Sequence, residues 1–335
     1  MTERNGPAKL KDVAEAAGVS ISTVSRVFSN PERLSPATVQ HVREVAQRLR
    51  YAPNVVARAL ITGVAANIGL VVPDITNPYM TRLLKAAQGR SRASNVGLLV
   101  ADTDDSAEIE RQVAEQLARQ ARGLILCAPR MSASHIRDLA SMVPLVIINR
   151  VVDGVPAVYT DSRQALREFV DELVGLGHRR FAYLPGPTRS WANRQRQQAI
   201  GQRAARHGAE LVVLEPTAAT YEDGIGAASA VADAGVTAVL AFDDVLASGL
   251  MEGLRRAGLT VPGDVSVVGH DDVLAELTRP GLATVRAQAE RVGRLAAERL
   301  LDPDGEVERT ESMAIHAETV RRDSIAPPST RHVSS

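Results

Sequence analysis

The chain has 335 residues, 45% of them hydrophobic and 3% aromatic, with 39 Lys and Arg against 39 Asp and Glu and a single cysteine. That length holds two or three packed units with ample core, and one thiol, Cys127 in GLILCAP, excludes an intramolecular bridge; it reads as a small buried hydrophobe, with a nucleophile as the alternative. The opening MTERNGPAKL has no apolar signal core and no run approaches the roughly 18–20 apolar residues of a membrane span, so the expected setting is a reducing cytoplasm without membrane contact.

The balanced charge hides an asymmetry. Through Thr62 nine Lys and Arg face five Asp and Glu, which leaves this segment at +4 and the remainder at −4. A small basic unit on a mildly acidic body suits an anionic partner for the first part, or a plain solvated basic face. The spacing predicts a helix from Lys11 to Ala17 with Val13, Ala14 and Ala17 inward. Gly18 then permits a left-handed turn, Val19 plugs the core and Ser20 caps a second helix. This is helix-turn-helix geometry, in which the second helix presents its N-terminal residues to base edges in the major groove. Ile21, Ser22, Ser25 and Arg26 fall on its outer side, and Val24, Val27 and Phe28 point in. Arg26 can fork onto guanine, Ser22 can bond a base or phosphate, and Ile21 can meet a thymine methyl; Thr23 joins this candidate set. A three-helix interaction module with a solvated arginine is the alternative. Ser35 and Pro36 open a third helix reaching residue 50, and a short segment, Asn54 to Leu60, follows Pro53.

From Asn67 onward β-rich apolar runs alternate with helical stretches. Eight strand candidates stand out: NIGLVV, NVGLLVA, GLILCA, PLVIIN, RRFAYL, ELVVLE, VTAVLAF and VSVVG. Between them lie segments such as DSAEIERQVAEQLARQ, where Ile109, Val113 and Leu117 suggest one apolar face. Strands buried on both faces and joined by helices predict parallel α/β sheets. Eight units overfill one doubly wound sheet, so two similar halves are expected, divided near residue 160 at AVYT. The tail from residue 286 to 326 is expected to cross back between them, and APPSTRHVSS to fray.

These residues resemble a known family. LKDVAEAAGVSISTVSRVFSNPERLSPATVQHVREVAQRLRYAPNVVARAL is similar to the headpiece of the lactose-repressor/galactose-repressor (LacI/GalR) family of bacterial transcription regulators. IGLVVPDITNPYM, GLGHRRFAYLPGP, VSVVGHDD and RPGLATVR continue the likeness from roughly residue 9 to 326. The resemblance implies an all-α headpiece (9–52), a hinge helix and linker (53–63), and a periplasmic-binding-protein-like α/β core of two parallel-sheet subdomains (64–326) that dimerises and binds a small effector. It implies that Asn54, Ala57 and Leu60 lie on the hinge helix, with Leu60 wedged into the minor groove of operator DNA. Seven residues are too short to be helical alone, and an apolar wedge kinks a duplex. The alternative for Leu60 is a linker residue packed on the core.

Ligands of open parallel sheets sit at the carboxyl ends of strands. Those ends offer Tyr79, Asn149, Tyr159, Trp191, Arg196, Asp243 and Asp271 as effector contacts. By resemblance Arg196, in RQRQQAIG, matches an arginine that clamps ligand oxygens, although Ala199 replaces the usual glycine. Asp271, in GHDD, matches an aspartate that accepts ligand hydrogens. An ion pair holding the cleft wall is the alternative for both. Trp191 can stack on a sugar ring or simply pack. Many relatives have Asn-Asp where this chain has Asp243-Asp244; ionised Asp only accepts, which favours a ligand rich in hydroxyl donors. An enzyme is not expected: GIGAAS follows no strand, and the seven His and one Cys form no metal-spaced set. The expectation is a repressor without cofactor that binds near-palindromic operator DNA as a homodimer and is released by a sugar or polyol; a co-repressor mode, or a sugar- or nucleotide-handling enzyme, is the alternative. No C-terminal heptad follows Ile325, which favours a dimer over a tetramer.

Overall fold

The computed structural model describes residues 8–51, 67–302 and 311–329. It divides into two compact units, one up to Ala66 and one from Asn67 onward.

The first unit is a three-helix cluster: α1 (Leu10–Ala17), α2 (Ile21–Ser29) and α3 (Pro36–Arg48), with a 3₁₀ turn at Pro31–Arg33. Gly18 ends α1 at φ +66°, and the Val19 N–H returns to the Ala14 carbonyl at 3.1 Å. Ser20 and Ser35 cap α2 and α3, their hydroxyls accepting the N–H groups of Thr23 and Thr38 at 3.1 and 3.2 Å. Val13, Ala14, Ala17, Val24, Val27, Val42, Val45 and Ala46 form the small core, with Val19 and Phe28 packed at its border. Phe28 also meets the Tyr51 ring, with centroids 5.8 Å apart.

The second unit has two lobes, each a six-stranded sheet. In chain order they comprise β1 (Asn67–Val72), α4 (Pro78–Ala93), β2 (Gly97–Asp102), α5 (Ala107–Ala118), β3 (Leu124–Cys127), α6 (Ala133–Met142), β4 (Leu145–Ile148), β5 (Ala157–Asp161), α7 (Arg163–Gly175), β6 (Arg180–Leu184), α8 (Trp191–Arg206) and β7 (Glu210–Val213). Then follow α9 (Tyr221–Gly226), α10 (Ala228–Asp233), β8 (Ala238–Ala241), α11 (Asp244–Arg256), β9 (Ser266–Asp271), β10 (Ala283–Arg286), α12 (Ala289–Leu301), β11 (Ser312–His316) and β12 (Glu318–Val320). The first sheet runs β11-β5-β4-β3-β1-β2 and is parallel throughout. The second runs β12-β10-β9-β8-β6-β7, with only β12 antiparallel. The chain crosses between lobes three times: after β5, between β10 and α12, and between β11 and β12.

Both faces of each sheet are covered, which is why the strands read as unbroken apolar runs. Ile68, Leu70, Ile125, Cys127, Val146 and Ile148 face α4 and α12, while Val71, Leu124, Leu126, Leu145 and Ile147 face the opposite layer. Burial drives the Cys127 thiol well above its usual range, so it is inert packing.

Three expectations shift. On α5, Ile109 is 40% exposed and Glu110 is buried in its place; the Glu110 carboxylate accepts the N–H groups of Arg130 and Met131 at 2.8 and 2.7 Å, so a polar residue occupies the inner stripe. The segment GIGAAS is a helix junction, where a Cβ on Gly224 would stand 2.3 Å from the Leu246 carbonyl oxygen of α11. The start of APPSTRHVSS is anchored, since the Ala326 carbonyl lies 3.0 Å from both His178 Nε2 and Ser266 Oγ.

Candidate functional site

Two surfaces carry functional chemistry, one on each unit. On the headpiece, α2 buries Val24 and Val27 and leaves Ile21 (50%), Ser22 and Arg26 exposed, with Thr23 and Ser25 half-buried. An Ile half open to solvent at the first turn of a capped helix has no packing reason to be there, whereas an apolar contact on a base edge would use it. Ser20 Oγ lies 2.8 Å from both Ser22 Oγ and Thr23 Oγ1. These hydroxyls gather at the positive end of the helix, where a phosphate oxygen is favoured. Asn54, Ala57 and Leu60 lie outside the described residues.

In the second unit, the carboxyl ends of both sheets open on a cleft enclosing about 650 Å³, whose walls include Tyr79, Asn149, Arg196, Asp243 and Asp271. A second chamber of about 540 Å³ is lined by Tyr159 and Trp191 and shares Asn149, Ala192 and Arg196 with the first. All seven effector candidates thus converge on one connected site. The backbone turns sharply to deliver them: Ala128, Asn149 and Asp271, each at or just beyond a strand end, have φ of +44°, +54° and +108°. Such values in residues other than glycine are uncommon and concentrate at binding sites.

Arg196 is the central donor. Its Nη1 donates to the Phe242 carbonyl, its Nη2 stands 3.7 Å from Asp271 Oδ1, and its guanidinium lies over the Phe242 ring, 4.6 Å from the centroid. Gly186 makes room for that ring, since a Cβ there would meet it at 2.4 Å. Helix α8 is pinned by buried Asn193, whose Oδ1 accepts from Tyr183 OH at 2.8 Å and from the Gly186 N–H at 3.1 Å.

Burial pushes the Asp271 carboxyl up to about 7, partly offset by Arg196. Asp243 is likewise raised to about 7, by burial and then by repulsion from Asp271. The same burial, with Arg196 nearby, holds His270 well below its ordinary range and so neutral. Its Nδ1 lies 2.7 Å from Asp271 Oδ1 and its Nε2 2.7 Å from Ser162 Oγ. A neutral imidazole serves both contacts by donating from Nδ1 to the carboxylate and accepting the serine hydroxyl at Nε2. Both contacts of Asp271 fall on Oδ1, which leaves Oδ2 for a ligand.

Asn149 is similarly fixed: its Nδ2 donates to Tyr79 OH at 3.0 Å and its Oδ1 accepts the Thr160 N–H at 2.9 Å. Asp243 caps α11, accepting the Leu246 N–H at 2.8 Å, and its second oxygen accepts Asn77 Nδ2 at 3.1 Å. Because Asn77 caps α4, with its Oδ1 accepting the Tyr79 N–H at 2.9 Å, two helix caps from opposite lobes join across the cleft. Asp244 faces away: it binds Thr284 Oγ1 at 2.6 Å and the Val273 N–H at 2.8 Å, and so shapes the loop whose Asp272 and Val273 carbonyls accept from Arg82 of the other lobe. Asn77, Phe242, Ser162 and Asn193 are the site residues that sequence reasoning did not single out. No group of His, Cys, Asp and Glu among the described residues could hold a metal ion.

Residues 9–54 match the bacterial regulatory proteins of the lacI family, and residues 170–325 match the periplasmic binding protein-like domain. The chain is 30% identical to the HTH-type transcriptional regulator GalS of Salmonella typhimurium over 95% of this chain and 96% of that one. It is 31% identical to the HTH-type transcriptional regulator GalR of Escherichia coli over 96% and 97%. Its fold is that of the Lac repressor dimer bound to operator and the anti-inducer ONPF, with TM-score 0.86, 24% identity and coverage of 96% of this chain and 100% of that one. The transcriptional regulator CelR in complex with cellobiose gives 0.69 at 27% identity, covering 95% and 99%. A capped helix-turn-helix before two parallel-sheet lobes, with full-length relatives at 30% identity and above, places the chain in the lacI family of DNA-binding transcription regulators.

Proposed function

We propose that this regulator is a cytoplasmic homodimeric repressor that binds a near-palindromic operator and is released when a sugar or polyol enters the cleft. The observation that carries the ligand class is the pairing of fixed acceptors with one forked donor. Asp271 and Asn149 are held by buried partners, and Arg196 is held over Phe242. Hydroxyl groups both donate and accept, so a polyhydroxylated ligand satisfies these groups together. A phosphate dianion would meet two buried carboxylates instead. The relative named for cellobiose supports the same class. No helix among the described residues is long and apolar enough to cross a membrane.

Ligand and operator must change each other's affinity by the same factor. A sugar and polyol screen by thermal shift, followed by calorimetry and operator titration, tests the reading. The ligand found should weaken operator binding, and Arg196→Ala and Asp271→Ala should each lower its affinity at least tenfold. Affinity within twofold of wild type in both variants would place the ligand elsewhere, and tighter operator binding with ligand would make it a co-repressor. Arg26→Ala should cost about 1–3 kcal/mol of operator binding and relax preference at one base pair per half-site; unchanged discrimination at every position would remove Arg26 from base reading.

The Ser162–His270–Asp271 chain favours a second reading, because hydroxyl, imidazole and carboxylate in this order also activate a serine nucleophile. Hydrolysis of p-nitrophenyl acetate by wild type but not by Ser162→Ala would support it. We assign the chain to holding Asp271, since His270 is buried and reaches the cleft only through its neighbours.

A further inference from the structure

We propose that the effector is a two-ring glycoside, with one ring among Asn149, Arg196 and Asp271 and a second, glycosidically linked ring against Trp191 and Tyr159. This rests on the carbohydrate reading above and extends it to the second chamber. The two chambers are chemically unlike. The first holds the buried carboxylates and the guanidinium. The second is walled by an aromatic pair, Tyr159 and Trp191, edge to face with centroids 5.7 Å apart and planes at 80°.

Both rings are half-buried, so each keeps surface open. The Trp191 indole N–H donates to no described residue, although Ser190 and Asn193 fix the helix start that carries it. The one carboxylate in this chamber, Asp161, is taken up by Arg163, whose Nε, Nη2 and backbone N–H lie 2.8, 2.6 and 3.1 Å from its oxygens. What remains for a ligand there is a flat apolar face with an outward indole donor, which suits a pyranose C–H face or a phenyl ring and not an ion. Arg196, Asn149 and Ala192 line both chambers, so a ligand gripped by Arg196 stands at the opening between them.

Trp191 is the only tryptophan in the chain, so its emission reports occupancy of the second chamber directly. The full-length protein is titrated with methyl glycosides of glucose, galactose, mannose and xylose, then with disaccharides and phenyl glycosides carrying the same first ring. For the sugar that binds, a two-ring ligand should bind at least tenfold tighter than the methyl glycoside and shift the emission where the methyl glycoside does not. Calorimetry should find that gain cut below threefold in Trp191→Ala and kept in Trp191→Phe. Disaccharide and phenyl glycoside arms tell a sugar ring from an aromatic aglycone. Equal one-ring and two-ring affinity, an equal emission shift, or a gain unchanged in Trp191→Ala would overturn the proposal and leave the carbohydrate reading standing. If none of these sugars binds in either form, the carbohydrate reading itself fails and this inference with it.

Discussion

Asp271 shows how much a single position can be asked to hold. It sits at φ +108°, pairs with Arg196 and His270, and keeps a carboxyl raised to about 7 against an ordinary 3.8. Between those values the native state binds more protons than the unfolded chain, so this contribution to stability is full below about pH 4 and is lost as pH rises through about 7. Asp243 and Asp244, also near 7, act in the same sense. His270 and His178, lowered by burial, act oppositely: they remain neutral while unfolded histidine takes a proton below about 6.5, so their contribution is lost as pH falls. The two effects oppose each other below pH 6.5, and above it the carboxylates act alone. The midpoint of thermal unfolding of the second unit should therefore fall from pH 6.5 to 8. Asp271→Asn should flatten that fall, because it removes one raised carboxyl and relieves the other two of its repulsion. An equal slope in the variant would show that these carboxylates do not set it. The seven cleft residues were legible in the sequence because each lies at or near the end of an apolar run or opens a helix beside one. Asn77 was not, because its partner Asp243 is 166 positions away and no local pattern joins two helix caps across a cleft.

Helices in this protein meet through glycines that a periodicity reading cannot interpret. A Cβ on Gly293 of α12 would lie 2.2 Å from the Leu83 carbonyl oxygen of α4, so these helices touch backbone to backbone. Gly89 of α4, by contrast, has open space where its Cβ would be. Gly293→Ala should destabilise the second unit by about 1–3 kcal/mol through overpacking. Gly89→Ala should be neutral or stabilise by up to about 1 kcal/mol through helix propensity. Urea denaturation of the pair checks this, and equal effects would refute the close approach. Strand and headpiece elements were readable because capping, turn glycine and apolar run are local signals: Ser20, Gly18 and Ser35 act within four residues of themselves. The inner face of α5 was misjudged for the converse reason. Glu110 is carried inward by two backbone N–H groups that lie 20 and 21 residues away.

At the scale of the whole molecule, the alternation of strands and helices foretold two parallel sheets and their cover on both faces. It left undetermined which edge of the first sheet the returning tail would occupy. The structure puts β11 beside β5 and lays α12 across α4, so Ala287, Ala289, Val292, Ala296, Ala297, Leu300 and Ile315 belong to the core that β1 began. This has a consequence for synthesis on the ribosome. The headpiece has all its contacts once residue 51 has emerged, whereas the first lobe has neither its edge strand nor one covering helix until residue 316 is made. Translation thus presents a finished DNA-reading module long before a finished ligand-binding one, and any chain stopped short of α12 leaves an apolar sheet face bare to proteases and to its neighbours. A fragment of residues 67–161 should accordingly be aggregation-prone and rapidly digested, while co-expression with residues 282–320 should restore a compact, protease-resistant lobe. Limited proteolysis of the two preparations decides the matter, and a resistant lone fragment would show that the late-made segment is dispensable to the lobe it completes.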